Sequence, residues 1–361
     1  MQSCQADITP LLKLKIARFQ LQYQPDAPVE IFDLPALVRS RLGNLLKKRF
    51  CPFTPYQDHV CLNCKMACNC LYAILFSPTA ACMEEDNLKK ASCHFTPPRP
   101  FTIHMPNWHP HGTIHPGETA AIELTLLGER AIEFRQVMLE GLAHAVSTIN
   151  LPSLNNHLSR TSDSKRSLTS SGYFPLMPGK TTENAGMMTK QTPHFDLQQE
   201  TGAFLYQWLD FLPESIRLSK DVSPSRITLD LVTPLQSGRM KSGITFKGFI
   251  TGIIGRLRDL KRIYHPDDDM GSFSPHFYEL MAQVKTIEVP RQVYPNHYSR
   301  SKKKEIHLKG FHGRLTFEGP VMPFIPLLAA GSLVGVGNKL TYGLGKYVID
   351  SFTMDSYLIE F

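Results

Sequence analysis

Polar and apolar residues alternate near the start of the chain. Leu12, Leu14 and Ile16 share one side of an extended segment, and Phe19, Leu21 and Tyr23 repeat the alternation one residue out of step. That slip predicts a strand with a bulge. The period then changes. After Asp33, a candidate cap, Leu34, Leu37, Val38, Leu42, Leu45 and Leu46 recur at helical spacing. The opposite face carries Arg39, Arg41, Lys47 and Lys48, with no acid between them. Alternation returns in AAIELTLLG from Ala120, and a helical pattern follows over about 131–149. The second half repeats this order. RITLDLVTPL reads as a strand, and Phe246, Phe249, Ile250, Ile253, Ile254, Leu257 and Leu260 line one helix face. FHGRLTFEG, KYVIDSF and a terminal apolar run read as further strands.

A strand, a helix and paired strands in each half predict an α+β protein. The expected architecture is two tandem ferredoxin-like (RRM-like) domains with antiparallel sheets. Residues 1–222 form the first, with a Cys-rich loop at 51–82, and residues 223–361 the second. Between about 151 and 192 the composition shifts to Ser, Thr, Asn, Gly and Pro, which reads as a long insertion. The uncharged span from Gly319 to Asn338 is long enough to cross a bilayer, but Pro320, Pro323 and Pro326 interrupt it. It reads as core strand and loop. With no uninterrupted apolar run in the first twenty residues, the expected location is the cytoplasm, with no membrane partner.

Charge adds a direction. The net charge is +7, from 39 Lys and Arg against 32 Asp and Glu. From Arg291 to Lys346 there are nine bases (291, 300, 302, 303, 304, 309, 314, 339, 346) and two acids, Glu305 and Glu318, which is again 9 − 2 = +7. A basic surface focused on one region suits a polyanion, and a solvated face kept for solubility is the plainer alternative.

Within that region lies GVGNKLTYGLGKY, with Gly335, Gly337, Gly343 and Gly345 beside Lys339 and Lys346. A Walker-type phosphate loop fails because Tyr347, not Ser or Thr, follows Gly345-Lys346. A dinucleotide fingerprint fails at Leu340, where a third glycine belongs. Two readings remain. The loop could present free N–H groups and lysines to an anion, or it could be a tight turn packed on the helix of its own domain.

Six of the eight cysteines fall between Cys51 and Cys82. Cys51, Cys61, Cys64 and Cys70, with Cys68 as an alternative fourth thiolate, suit a structural zinc or, second, an iron–sulfur cluster. Buried free thiols are the alternative, and disulfides are not expected. His104, His109, His111 and His115 form a second cluster, a metalloenzyme candidate that lacks an Asp and sits among prolines.

The segment YPNHYSRSKKKEIHLKGFHGRLTFEGPVMPFIPLLAAGSLVGVGNKLTYGLGKYVI resembles the C-terminal domain of CRISPR-associated precursor-RNA processing endoribonucleases of the repeat-associated mysterious protein superfamily. Tyr298-Ser299-Arg300, Gly310, Gly313, Phe324, Pro326, Leu327, Leu328 and the four loop glycines carry the resemblance. Upstream, TPLQSGRMKSGITFKGFITGIIGRLRDL, CPF, CLNC and PPRPFTI extend it over most of the chain, the region around 151–200 apart. Many relatives have His where Gly335 stands and Lys where Asn338 stands.

The resemblance implies metal-independent cleavage of CRISPR repeat RNA. A ribose 2′-hydroxyl attacks the adjacent phosphorus and leaves a 2′,3′-cyclic phosphate and a 5′-hydroxyl. That chemistry needs a base, an acid and a cation for the phosphorane. His59 is the candidate base, Lys47 and Lys48 candidate cations, and Tyr23 a further candidate. For RNA contact the expectation names Gly335, Gly337, Gly343, Gly345, Lys339, Lys346, Arg300, Lys302, Lys303 and Lys304, then Arg39 and Arg41. The partners implied are repeat RNA or its guide-RNA product, and subunits of a CRISPR effector complex. A non-catalytic RNA-binding subunit of the same superfamily is the competing reading.

Overall fold

The computed structural model describes residues 8–53, 61, 64–79, 97–109, 112–149, 196–204, 225–237, 243–264, 271–294, 296–299, 304–307, 309–354 and 357–360. His59, His111, Arg300, Lys302 and Lys303 lie outside them, as do Cys82, the 151–192 insertion and the expected boundary at 222.

The first half runs β1 (Lys15–Tyr23), β2 (Val29–Glu30), α1 (Leu34–Phe50), α2 (Leu71–Phe76), β3 (Phe101–His104) and β4 (Thr113–Ile114). It continues with β5 (Ala120–Leu127), α3 (Glu129–Glu133), α4 (Arg135–Ser147) and β6 (Asp196–Phe204). The main sheet is antiparallel, in the order β3-β5-β1-β6. The alternation in β1 has its expected result. Ala17, Phe19, Leu21 and Tyr23 meet Leu34, Val38, Leu42 and Leu46 of α1 in one core. The one-residue slip is a register shift between Ile16 and Arg18 against β6.

The second half runs β7 (Ser225–Leu235), α5 (Phe246–Tyr264), α6 (Pro275–Gln283), β8 (Lys285–Glu288), β9 (Arg291–Val293), β10 (Asn296–Ser299) and β11 (Lys304–His307). Then come β12 (Gly310–Gly319), α7 (Ile325–Val334), β13 (Val348–Met354) and β14 (Tyr357–Glu360). Its sheet order is β14-β13-β7-β12-β8, with β9 also on β12, and β10–β11 form a separate hairpin. All the pairings are antiparallel. The chain is therefore a mixed α+β protein with antiparallel sheets.

Three expectations change. Leu12 belongs to a short 3₁₀ helix, Thr9–Lys13, rather than to the first strand. The helix over 131–149 breaks at Phe134 into α3 and α4. The apolar span read as core strand and loop contains α7. Pro326 sits in that helix's first turn, where no N–H is needed, and Leu327, Leu328, Ala329 and Ala330 are all fully buried. A helix apolar on every side is a buried helix, and it shows no face for periodicity to reveal.

The two halves share a core. Leu11, Leu12, Leu14, Ile16 and Leu127 belong to the same buried cluster as Ile227, Phe249, Leu257 and Phe324.

Candidate functional site

The glycine loop leaves α7 at Gly335 and turns back to β13. Its N–H groups are largely occupied. Those of Gly335, Val336, Asn338 and Gly345 donate to the carbonyls of Gly331, Gly345, Gln236 and Pro234 at 2.7–3.0 Å. Tyr342 and Gly343 donate within the loop, and Lys346 donates to the Thr233 hydroxyl at 2.9 Å. The expected concave array of free N–H groups is therefore not what these glycines build.

They permit close packing instead. Gly345 has φ +75°, and a Cβ there would land on the Val336 carbonyl oxygen. Gly343 has φ +88°, and its Cβ would lie 2.6 Å from the Pro35 ring at the start of α1. Tyr347 at the loop's end packs on Phe249 of α5 in its own half, and the loop itself packs against a helix of the other half. Arg39 of α1 completes this contact. Its Nε donates to Thr341 Oγ1 at 3.1 Å, and its guanidinium carbon sits 4.3 Å from the Tyr342 ring centroid. Arg39, expected on RNA, acts here as a clamp between the halves.

Lys346 is the clearest correction. It was expected to meet a phosphodiester, but its side chain is 10% exposed and its Nζ lies 2.9 Å from Glu123 Oε1 on β5. Arg18 Nη2 holds the other carboxylate oxygen at 2.9 Å. Burial alone would raise the Glu123 carboxyl, but Lys346 and Arg18 outweigh it and hold it down at about 2. Against this group lies His104, 1% exposed. Burial, with Lys346 nearby, lowers its imidazole to about 3, so it is neutral. His104 therefore faces the interior, while His109 and His115 are exposed. Among the described residues no group of three or more His, Cys, Asp or Glu is placed to hold a metal ion. Of the candidate metal-binding histidines, the described ones are thus split between the interior and the surface.

Tyr23 is also corrected. It is 1% exposed in the first core, and burial raises its phenol well above the usual range, so it is no surface acid or base. Lys47 lies 5.9 Å from the Tyr72 ring centroid, and Lys48 is exposed in the last turn of α1. Arg41 is half-buried on the same helix. Lys339 holds a left-handed backbone, φ 59°, beside exposed Asn338. Lys304 pairs with Ser299 across the β10–β11 hairpin.

Cys51 and Cys61 are buried and Cys64 and Cys70 half-buried, and none of the four is in a disulfide. Burial raises the Cys61 thiol, Cys51 and Cys70 push the same way, and Lys47 opposes them. The thiols of Cys61, Cys64 and Cys70 gather in one small cluster, as the spacing implied. Cys68 is disulfide-bonded, which removes it as the alternative ligand and corrects the expectation of no disulfides.

Beside the loop opens a cleft of about 550 Å³. Arg99, Arg256, Asp259 and Lys339 bring charge to it, and Gly252 and Gly255 of α5 leave room. Sequence reasoning missed Arg99 and Arg256. The only signals were the PPRPF break before β3 and an arginine next to Gly255 on the amphipathic helix α5.

Comparison with known families gives two matches. Residues 207–347 match the CRISPR-associated endoribonuclease Cas6, and residues 12–150 match a model described as an N-terminal domain. A search of curated proteins finds no match. Among solved structures, a Cas6 product complex is 14% identical with TM-score 0.44, covering 92% of this chain and 99% of that one. Thermus thermophilus Cas6 is 11% identical with TM-score 0.42, covering 93% and 98%. A partial Cas6-RT-Cas1–Cas2 complex is 11% identical with TM-score 0.48, covering 96% of this chain and 48% of that one.

Proposed function

We propose, from the premise that this chain is a CRISPR-associated endoribonuclease of the Cas6 type, that it cuts precursor transcripts within their repeats by attack of a ribose 2′-hydroxyl. The observation that carries this is the family match over residues 207–347, which contains the whole run from β7 to the glycine loop. Two ferredoxin-like domains fit it. In each half a β-α-β-β-α-β order gives sheets β3-β5-β1-β6 and β13-β7-β12-β8, the same arrangement read from opposite edges.

The products are a 2′,3′-cyclic phosphate and a 5′-hydroxyl, and no resident metal takes part. His59 takes the 2′ proton, and Lys47 and Lys48 at the end of α1 stabilise the phosphorane. RNA lies along the junction between α1 and the glycine loop, held by Lys339 and Arg41, and by Arg300, Lys302, Lys303 and Lys304. The loop glycines support this path by packing, and Arg39 fixes the loop to α1. Guide RNA is the product, and effector-complex subunits are its onward partners.

The test is single-turnover cleavage of repeat RNA in EDTA. Cleavage is expected to persist, to stop when the ribose at the cleavage position is deoxyribose, and to slow in His59→Ala with little change in binding. Binding without cleavage would instead mark a non-catalytic RNA-binding subunit.

A further inference from the structure

Arg256 lies on α5, yet its side chain ends at the C-terminus of α7. Its Nε donates to the Val334 carbonyl at 2.8 Å. Val334 is the last residue of α7, and Gly335, which opens the glycine loop, caps the helix. The last carbonyls of a helix have no partner within it and carry the negative end of its dipole. A guanidinium there answers both, so Arg256 is a cap supplied by another helix. It is a costly cap. Burial lowers the guanidinium to about 10, and Tyr264 and Asp259 offset only part of that. Its Nη2 is shut off from water and has no hydrogen-bond partner among the described residues. A neutral donor would satisfy one carbonyl with less desolvation. What the planar arginine adds is a fixed direction for the chain as it leaves α7.

From Val334 to Lys339 the loop is anchored at alternate residues. Arg256 holds Val334, the Val336 N–H donates to the Gly345 carbonyl at 3.0 Å, and the Asn338 N–H donates to the Gln236 carbonyl at 2.7 Å. The second and third anchors join backbone to backbone, and the first depends on a side chain. Lys339 follows at once with φ 59°, a left-handed backbone that is uncommon for a residue with a Cβ. The direction in which α7 releases the chain therefore sets where Lys339 stands.

We infer that Arg256 is a positioning residue: it holds the exit of α7 so that Lys339 meets the RNA backbone, and it does not touch RNA itself. The part that concerns RNA rests on the RNA-cleaving reading above, and the hold on the loop does not.

The test uses the full-length protein, Arg256→Met, Lys339→Ala and the double variant, with melting curves to establish that each folds. Arg256→Lys keeps the charge but loses the planar fork. It should show the changes of Arg256→Met at smaller size, and it carries every arm if Arg256→Met does not fold. The first arm compares amide hydrogen exchange in the segment 335–347 with that in β5. Exchange in the segment should be about tenfold faster in Arg256→Met, with β5 unchanged. Unchanged exchange in the segment, or an equal rise in β5, would overturn the hold on the loop. The second arm titrates labelled repeat RNA at several salt concentrations. Losing one phosphate contact lowers the salt slope by about 1. Arg256→Met should lower it by about 1 in the wild-type background and no further beside Lys339→Ala. A purely packing role moves the slope in neither background, and an arginine that meets phosphate directly lowers it in both, so either result overturns the inference. If wild type binds no RNA, the RNA-cleaving reading fails, and the exchange arm alone decides whether Arg256 holds the loop.

Discussion

Replacing Lys346 by Met should loosen the junction between the halves. The change removes one partner of a buried ion pair and keeps an unbranched apolar chain of similar length. Glu123 then keeps Arg18 at 2.9 Å, but its nearer oxygen, 2.9 Å from Lys346 Nζ, faces nothing charged. Two estimates give the size. Removing one member of a buried pair costs about 3–5 kcal/mol. Separately, the Glu123 carboxyl is held at about 2 against an ordinary 4.5, which corresponds to about 3 kcal/mol. Burial pulls the Lys346 ammonium down as well, so about 3 kcal/mol is an upper figure for the pair. The assay is urea denaturation of wild type, Lys346→Met, Glu123→Leu and the double variant. Each single variant should lose about 2–3 kcal/mol. The double variant should recover to within about 1 kcal/mol of wild type, because Arg18, 29% exposed, can turn to water. The pH dependence has a definite sign. A carboxyl lowered by folding stabilises above its unfolded value and loses that contribution as pH falls. Wild type should therefore weaken from about pH 4.5 toward about 2, and Lys346→Met should weaken less steeply there. Single variants as stable as wild type, or a double variant showing the plain sum of both losses, would refute the pairing.

Three other outcomes concern the junction and the cysteine cluster. Gly345→Ala should destabilise by several kcal/mol, because its Cβ meets the Val336 carbonyl at φ +75°; Gly117→Ala, at φ +90° in open space, should lose only about 1 kcal/mol on the same urea curves. Arg39→Leu should lose about 1–2 kcal/mol, from one hydrogen bond and one ring contact, and should slow repeat-RNA cleavage more than it weakens RNA binding. Prolonged dialysis against a chelator tests the zinc expectation at Cys51, Cys61, Cys64 and Cys70: a fall in melting temperature supports a structural metal there, and an unchanged melting curve sinks it.

Periodicity made most of the fold legible. Alternation marks β1, β5, β7 and β12, because each buries one face on helices, and the bulge at Ile16–Arg18 is visible as a slip. It could not mark α7, whose sides are all buried. Site residues were harder, because burial and charge pairing are long-range. Lys346 and Glu123 are 223 positions apart, so a lysine beside glycines read as a phosphate ligand when its partner was a distant carboxylate. Arg99 and Arg256 escaped for the same reason, since only the fold brings them to one cleft. The glycine loop was legible as a place where backbones approach closely, but which backbone it approaches is a property of the junction.

Leu11, Leu12 and Leu14 bear on how the chain is made. They are buried with Phe249, Leu257 and Phe324, which leave the ribosome more than 200 positions after them. Synthesis must therefore carry three unsheltered leucines until the second half arrives. A second half expressed alone would present the matching apolar seat to solvent. Separating the chain between the two halves should give two poorly soluble pieces, each rescued by the other when they are produced together.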